Sequence, residues 1–342
     1  MSPAFPTGPP ARMPTPAERS PMVSGGLTPQ APAVAGTPAA EVLRRLELAV
    51  TRRLDGLLQG DHRGLTPGHG SDPGEIRRYQ PGDDVRRIDW NVTARLRDTH
   101  VRDTVADREL ETWVLVDASA SLAFGSALAE KRDLALAGVA AVSFLTTRTG
   151  NRIGALTADG AGHTTMIPAR SGRAHTHALL RQVLTAVEAP VAGRVDLPGS
   201  MLRLGAIAKR RGLIVVVSDF LDPADWARPL RNLALRHDVV CLEVVDPLEL
   251  ALPAVGTLNL LDPETGAELE VRTDDAGLRA RYAEAAAAQR ARIAAQIRQT
   301  GADHLQLRTD RDWLLDIARF VSRRRDRIDS LSRATAHQVG VS

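Results

Sequence analysis

Three apolar runs in this chain each stop on an aspartate: Trp113-Val-Leu-Val-Asp117, Leu213-Ile-Val-Val-Val-Ser-Asp219 and Val239-Val-Cys-Leu-Glu-Val-Val-Asp246. A continuous apolar run of this length suits a strand buried on both faces, as in a parallel sheet covered by helices. If the three strands are parallel, their carboxylates share one edge. Open α/β sheets bind ligands at that edge, just beyond the carboxyl ends of the strands.

The remaining pattern supports such a sheet. Strands are expected at 113–117, 152–157, 163–168, 213–218, 239–245 and 304–307. Helices are expected at 127–149, 173–188, 199–211, 224–235, 276–299 and 311–325. Strands alternating with helical stretches imply βαβ units. The pair 152–157 and 163–168, joined by Ala158-Asp-Gly-Ala-Gly162, reads instead as a hairpin, which puts one antiparallel strand at the sheet edge. A second, exposed hairpin is expected near 255–272, from Leu258–Leu261 and Glu268–Val271. The expected fold class is α/β: a mainly parallel, Rossmann-like sheet with helices on both faces, one antiparallel edge strand and an N-terminal extension.

Composition marks the boundaries. Ten of the 21 prolines lie in the first forty residues, which carry little charge. Residues 1–39 are therefore expected to be a disordered tail. Helical spacing runs from Ala40 to Leu58 (Val42, Leu43, Leu46, Leu54, Leu57), and a Gly- and Pro-rich loop follows from Gly60 to Gly74. The division expected is 40–108 for the extension, 109–325 for the sheet domain and 326–342 for a flexible C-terminal tail.

The formal net charge of +3 is close to neutral for 342 residues, so a polyanionic partner is not demanded. The aromatic content of 3% leaves few stacking platforms for single-stranded nucleic acid. The basic run Arg323-Arg-Arg-Asp-Arg327 reads either as a nucleic-acid contact or as a solvated helix end, where cations favour the negative dipole terminus. The single Cys241 excludes an internal disulfide and lies in an apolar run as a core residue. The longest apolar segment, Leu134–Leu145, falls short of the ~20 residues that span a bilayer. No signal peptide is expected, and the cytoplasm is the expected location.

Asp117 is followed by hydroxyls at alternate positions, Ser119 and Ser121, and Asp219 ends a later strand. Each residue could be a turn former or helix cap. Together they offer oxygen ligands, which suit hard cations such as Mg²⁺ or Mn²⁺. Asp246, before Pro247, fits the structural role better. Asp-x-Ser-x-Ser with a later Ser-Asp resembles the metal-ion-dependent adhesion site of von Willebrand factor A-like domains. That resemblance implies Ser119 and Ser121 as direct ligands of Mg²⁺ or Mn²⁺, with Asp117 and Asp219 acting through water. A partner's carboxylate would complete the shell. The family's Thr-Asp-Leu context reads Val195-Asp196-Leu197 here, so Val195 replaces one expected ligand.

The block Tyr79-Gln-Pro-Gly-Asp83-Asp84-Val-Arg86-Arg87-Ile-Asp89-Trp90, then Ala94-Arg95, alternates acids and arginines around Val85, Ile88 and Trp90. It reads as a solvated face or as a polar network anchored by Trp90 that clamps this segment to the sheet. The block, the Asp117–Ser121 motif and Ser218-Asp219-Phe220 together resemble the bacterial domain-of-unknown-function 58 family, over roughly residues 40–325. Such proteins commonly accompany MoxR-type AAA+ ATPases. The resemblance implies a non-enzymatic adaptor in maturation or remodelling of other proteins.

The alternative is a metal-dependent hydrolase in which Asp117 and Asp219 position a metal-bound water. Other enzyme classes lack support. Ser119 stands where haloacid-dehalogenase-type phosphatases need a second acid. The chain has no P-loop, dinucleotide fingerprint or nucleophile elbow. His175 and His177, two apart at a helix start, would point to different faces.

Overall fold

A computed structural model describes residues 31–33, 37–54, 76–79, 85, 88–96, 98–102, 110–127, 129–261 and 265–339. The first thirty residues, the 60–74 loop, Asp83, Asp84, Arg86 and Arg87 lie outside them.

The extension contributes α1 (Ala39–Leu48), continued by a π-helical segment Ala49–Leu54, then β1 (Ile76–Arg78), α2 (Trp90–Leu96) and β2 (His100–Arg102). The sheet domain follows as β3 (Glu111–Asp117), α3 (Lys131–Arg148), β4 (Arg152–Ala158), β5 (Thr164–Arg170), α4 (Arg173–Glu188), α5 (Leu197–Ile207), β6 (Leu213–Ser218), α6 (Ala227–Ala234) and β7 (Asp238–Val245). The hairpin β8 (Thr257–Leu261) and β9 (Glu268–Arg272), α7 (Ala276–Gln299), β10 (Asp303–Arg308) and α8 (Trp313–Val339) complete it.

The main sheet has the order β10-β7-β6-β3-β4-β5. All neighbours are parallel except β4 and β5, which pair antiparallel at one edge. The chain lays β3, β4 and β5 in one direction, then returns to place β6, β7 and β10 on the other side. The reversal falls between β3 and β6, the crevice where doubly wound sheets bind ligands.

Strand alternation sorts the core into two layers. Val114, Val116, Val215, Val217 and Leu242 face α1, α3, α4 and α8. Trp113, Leu115, Ile214, Val216 and Cys241 face α5, α6 and α7. Helix α3 is apolar on all sides and correspondingly buried from Leu134 to Thr146. It lies so close to β7 that a Cβ at Gly138 would stand 2.6 Å from Leu242 Cδ1. The extension packs on the first layer through Val42, Leu43, Leu46 and Val50.

Two expectations are corrected. Helix α3 begins at Lys131, not 127, because Asp133 Oδ2 accepts from the Glu130 N–H at 2.9 Å and fixes the first turn there. Helix α8 does not stop at 325 but runs to Val339, through residues rich in the good helix formers Arg, Ala and Leu.

Candidate functional site

The crest of the sheet is assembled at the switch point. Asp117 ends β3, and its Oδ1 accepts from the Ser119 N–H at 2.9 Å, turning the chain out of the strand. Its Oδ2 accepts from Ser218 Oγ of β6 at 2.8 Å, which ties the two central strand ends together. Ser218 Oγ in turn accepts from the Phe220 N–H at 3.0 Å. That bond fits the left-handed conformation of Phe220, at φ 55°, uncommon for an aromatic residue. The Phe220 ring is buried and stands edge-on to Trp226, centroids 5.3 Å apart. Ser119 Oγ and Ser121 Oγ are 2.9 Å apart. Asp219 follows β6, its Oδ1 accepting from the Leu221 N–H at 3.2 Å.

Asp117, Ser119, Ser121 and Asp219 are thus brought to one place, as the sequence anticipates. The residue it does not anticipate is Lys131. This residue is 1% exposed at the first position of α3. Its Nζ donates to Asp219 Oδ2 at 2.8 Å and to Glu249 Oε1 at 2.5 Å. Arg290 of α7 donates to Glu249 Oε2 at 2.6 Å, to Glu243 Oε1 at 2.9 Å and to the Asp219 carbonyl at 3.0 Å. His304 Nε2 lies 2.8 Å from Glu243 Oε2, to which Gln306 also donates. A chain of alternating charges therefore crosses the sheet from β6 through β7 to β10.

Burial governs the electrostatics. Desolvation, with the Asp219 charge adding to it, pushes the Asp117 carboxyl up to about 6. Burial also pushes Asp219 up, but the Lys131 ammonium outweighs it and holds this carboxyl below its ordinary range. For Lys131 the same balance holds in reverse: burial lowers it, and the two carboxylates raise it well above the usual value. Glu249 is raised, chiefly by burial. Glu243 is lowered, because its hydrogen bond to His304 and the Arg290 charge overcome its burial.

The donor set does not fit a hard dication. One of the two Asp219 carboxylate oxygens, Oδ2, already accepts from an ammonium. Val195 is buried in the second core layer, and its side chain offers no oxygen. Among the described residues, no group of three or more His, Cys, Asp or Glu side chains is arranged to hold a metal ion. Asp246 has the structural role expected of it. It accepts from Ser126 N–H, Leu248 N–H and Thr309 Oγ1 at 2.8, 2.9 and 2.8 Å, joining three loops.

Other candidates separate. His175 Nε2 meets the Ile153 carbonyl at 2.9 Å, whereas His177 faces Glu47 at 3.3 Å. Burial pushes the Cys241 thiol up. Trp90 does not anchor a clamp: it is 70% exposed, at the start of α2, while the neighbouring Ile88 bridges to Val101. In the basic run, Arg324 is buried against Asp303 and Asp238 rather than solvated, and Arg327 pairs with Asp303. Beside Asp219 a groove of about 450 Å³ lies between residues 220–227 and α7, lined by Phe220, Asp222, Trp226, Arg292 and Ile293.

A signal for the missed residues exists. The chain contains 44 Lys+Arg but only two lysines, Lys131 and Lys209. A lone lysine ten residues after the Asp-x-Ser-x-Ser motif was one visible clue, and Glu243, a charge inside the apolar run Val239–Val245, was another; Glu249 and Arg290 carried none.

The chain is 56% identical over 286 residues to Uncharacterized protein Rv1480 of Mycobacterium tuberculosis, covering 84% of this chain and 90% of the relative. It is 50% identical over 161 residues to Uncharacterized protein MAV169 of Mycobacterium avium, covering 47% of this chain and 95% of the relative. Among solved structures it is similar to BatB from Bacteroides thetaiotaomicron, at 11% identity and TM-score 0.39, over 64% of this chain and 99% of that one. It is also similar to the SpRpn10 VWA domain, at 13% identity and TM-score 0.36, over 63% and 94% of the two chains. The family model described as "Protein of unknown function DUF58" matches residues 75–292. With that match and the extent of the mycobacterial likeness, the chain belongs to the DUF58 family.

Proposed function

We propose that this protein is a non-catalytic interaction module of the cytoplasm, whose crest docks a protein partner. The observation that carries the reading is the closure of the crest upon itself. Asp117, Ser119, Ser121, Ser218, Asp219 and Lys131 bond to one another or to neighbouring backbone, which makes a rigid surface rather than a set of reactive groups. A hydrolase would need Asp117 and Asp219 to hold a metal-bound water, and Asp219 is engaged by Lys131 instead. Val191, bridged to Ser119 at the rim, is 41% exposed, and a separate groove beside Asp219 is lined by Phe220 and Trp226. Apolar contact framed by polar groups is the usual anatomy of a docking patch.

The partner proposed is a MoxR-type AAA+ ATPase, with which the protein acts in maturing or remodelling other proteins. This rests on the family resemblance. No helix of the described residues is long and apolar enough to cross a membrane. The test is a binding titration between this protein and the MoxR-type ATPase of the same cell. Saturable binding is expected, weakened at least about tenfold by Val191→Asp at the rim, a loss of ~1.4 kcal/mol. No binding by the wild-type protein, or equal binding by the rim variant, would sink the assignment to this surface.

A further inference from the structure

We propose that the crest binds no divalent ion, and that the buried ammonium of Lys131 supplies from within the chain the positive charge its carboxylates require. Lys131 Nζ lies 2.8 Å from Asp219 and 2.5 Å from Glu249, at the switch point between β3 and β6. A dication held by Ser119, Ser121 and the waters of Asp219 would stand next to this ammonium, and like charges at such range in a dry site repel strongly.

The lysine also sits at an unfavourable end of its helix. It is the first residue of α3. A cation is disfavoured at a helix N-terminus, where the dipole is positive. Only the facing carboxylates make the placement favourable.

A chain with two lysines in 44 basic residues uses one of them here. An ammonium is a compact point charge with three donors, whereas a guanidinium is a broad planar fork. Of the two, the ammonium is the better substitute for a small ion between carboxylates. Val195, buried in place of an oxygen ligand, is a loss that matters little if no ion needs its shell filled.

The inference concerns the chemistry of the crest, whichever partner meets it. A failed binding titration with the ATPase leaves it standing, and a bound ion would leave the partner reading standing. It does imply that docking is insensitive to chelators.

The test is paramagnetic titration of the full chain with Mn²⁺. The resonance of free Mn²⁺ should keep its full amplitude up to about 1 mM, the weak end of oxygen-ligand sites. Loss of that signal saturating at one ion per chain, and abolished by Ser119→Ala, would overturn the proposal. The lysine itself is tested by thermal melting. Lys131→Ala and Lys131→Arg should both melt well below wild type or fail to fold, with no rescue of the arginine variant by its retained charge. A Lys131→Ala protein that melts like wild type would overturn the role given to the ammonium, and the wild-type titration decides the metal even if neither variant folds.

Discussion

At the scale of single residues, Lys131 and Asp117 are charged groups whose behaviour burial and neighbouring charge alter. Removing one partner of a buried pair leaves the other charge uncompensated, so Lys131→Met should cost about 3–5 kcal/mol in denaturant unfolding. A loss below about 1 kcal/mol would place the pair in the class of exposed ion pairs, against its burial of 2% and 4% exposure for the two side chains. Asp117 predicts a pH dependence. Its carboxyl is raised from 3.8 to about 6 in the folded protein, first by burial and then by Asp219. A raised carboxyl contributes stability that is fully present below the unfolded value and is lost as pH climbs through the folded one. Relative to Asp117→Asn, the wild type should therefore gain stability as pH is lowered from 7 toward about 4, the range over which this group takes up its proton. Parallel urea titrations measure the gap, and a gap constant with pH would contradict the shift.

Between elements, what matters is how closely helices lie on the sheet. Gly138 lets α3 settle on β7 at Leu242, and that settling brings the α3 N-terminus, with Lys131, to the crest. Gly138→Val should force the helix away, costing about 1–3 kcal/mol as overpacking does. It should also loosen the crest, seen as faster amide exchange at Ser119 and Ser121. Unchanged exchange at those amides would separate helix seating from crest order. The elements themselves were legible because their signals are local. Apolar runs mark β3, β6 and β7, and α4 and α7 follow their helical period to the residue. The start of α3 was not legible, because the apolar period extends upstream and only the Glu130–Asp133 contact stops it.

Across the whole molecule, the extension and the sheet domain share one core. Val42, Leu43, Leu46 and Val50 belong to the same cluster as Val114 and Leu136. Deleting residues 1–54 should lower the melting temperature sharply, since each such side chain contributes about 1.5 kcal/mol or more when buried. A deletion that melts unchanged would make α1 a mere appendage. The crest was half legible. Its four motif residues sit at or just beyond two strand ends and could be placed from sequence. Their charge partners Lys131, Glu249, Arg290 and Glu243 come from four other segments, and charged residues read one at a time look solvated. The Trp90 expectation erred for the opposite reason: an aromatic among apolar neighbours looks buried, and only tertiary placement leaves it exposed.

The burial of Lys131 also turns the chain into its own reporter. Lys209 is exposed and Lys131 is 1% exposed, so among its lysines an amine-acylating reagent should mark Lys209 at once and Lys131 only when the crest opens. The ratio of the two modified peptides, followed over time by mass spectrometry, would then clock the opening of the crest directly. A partner that seals the crest should stretch that clock without touching Lys209.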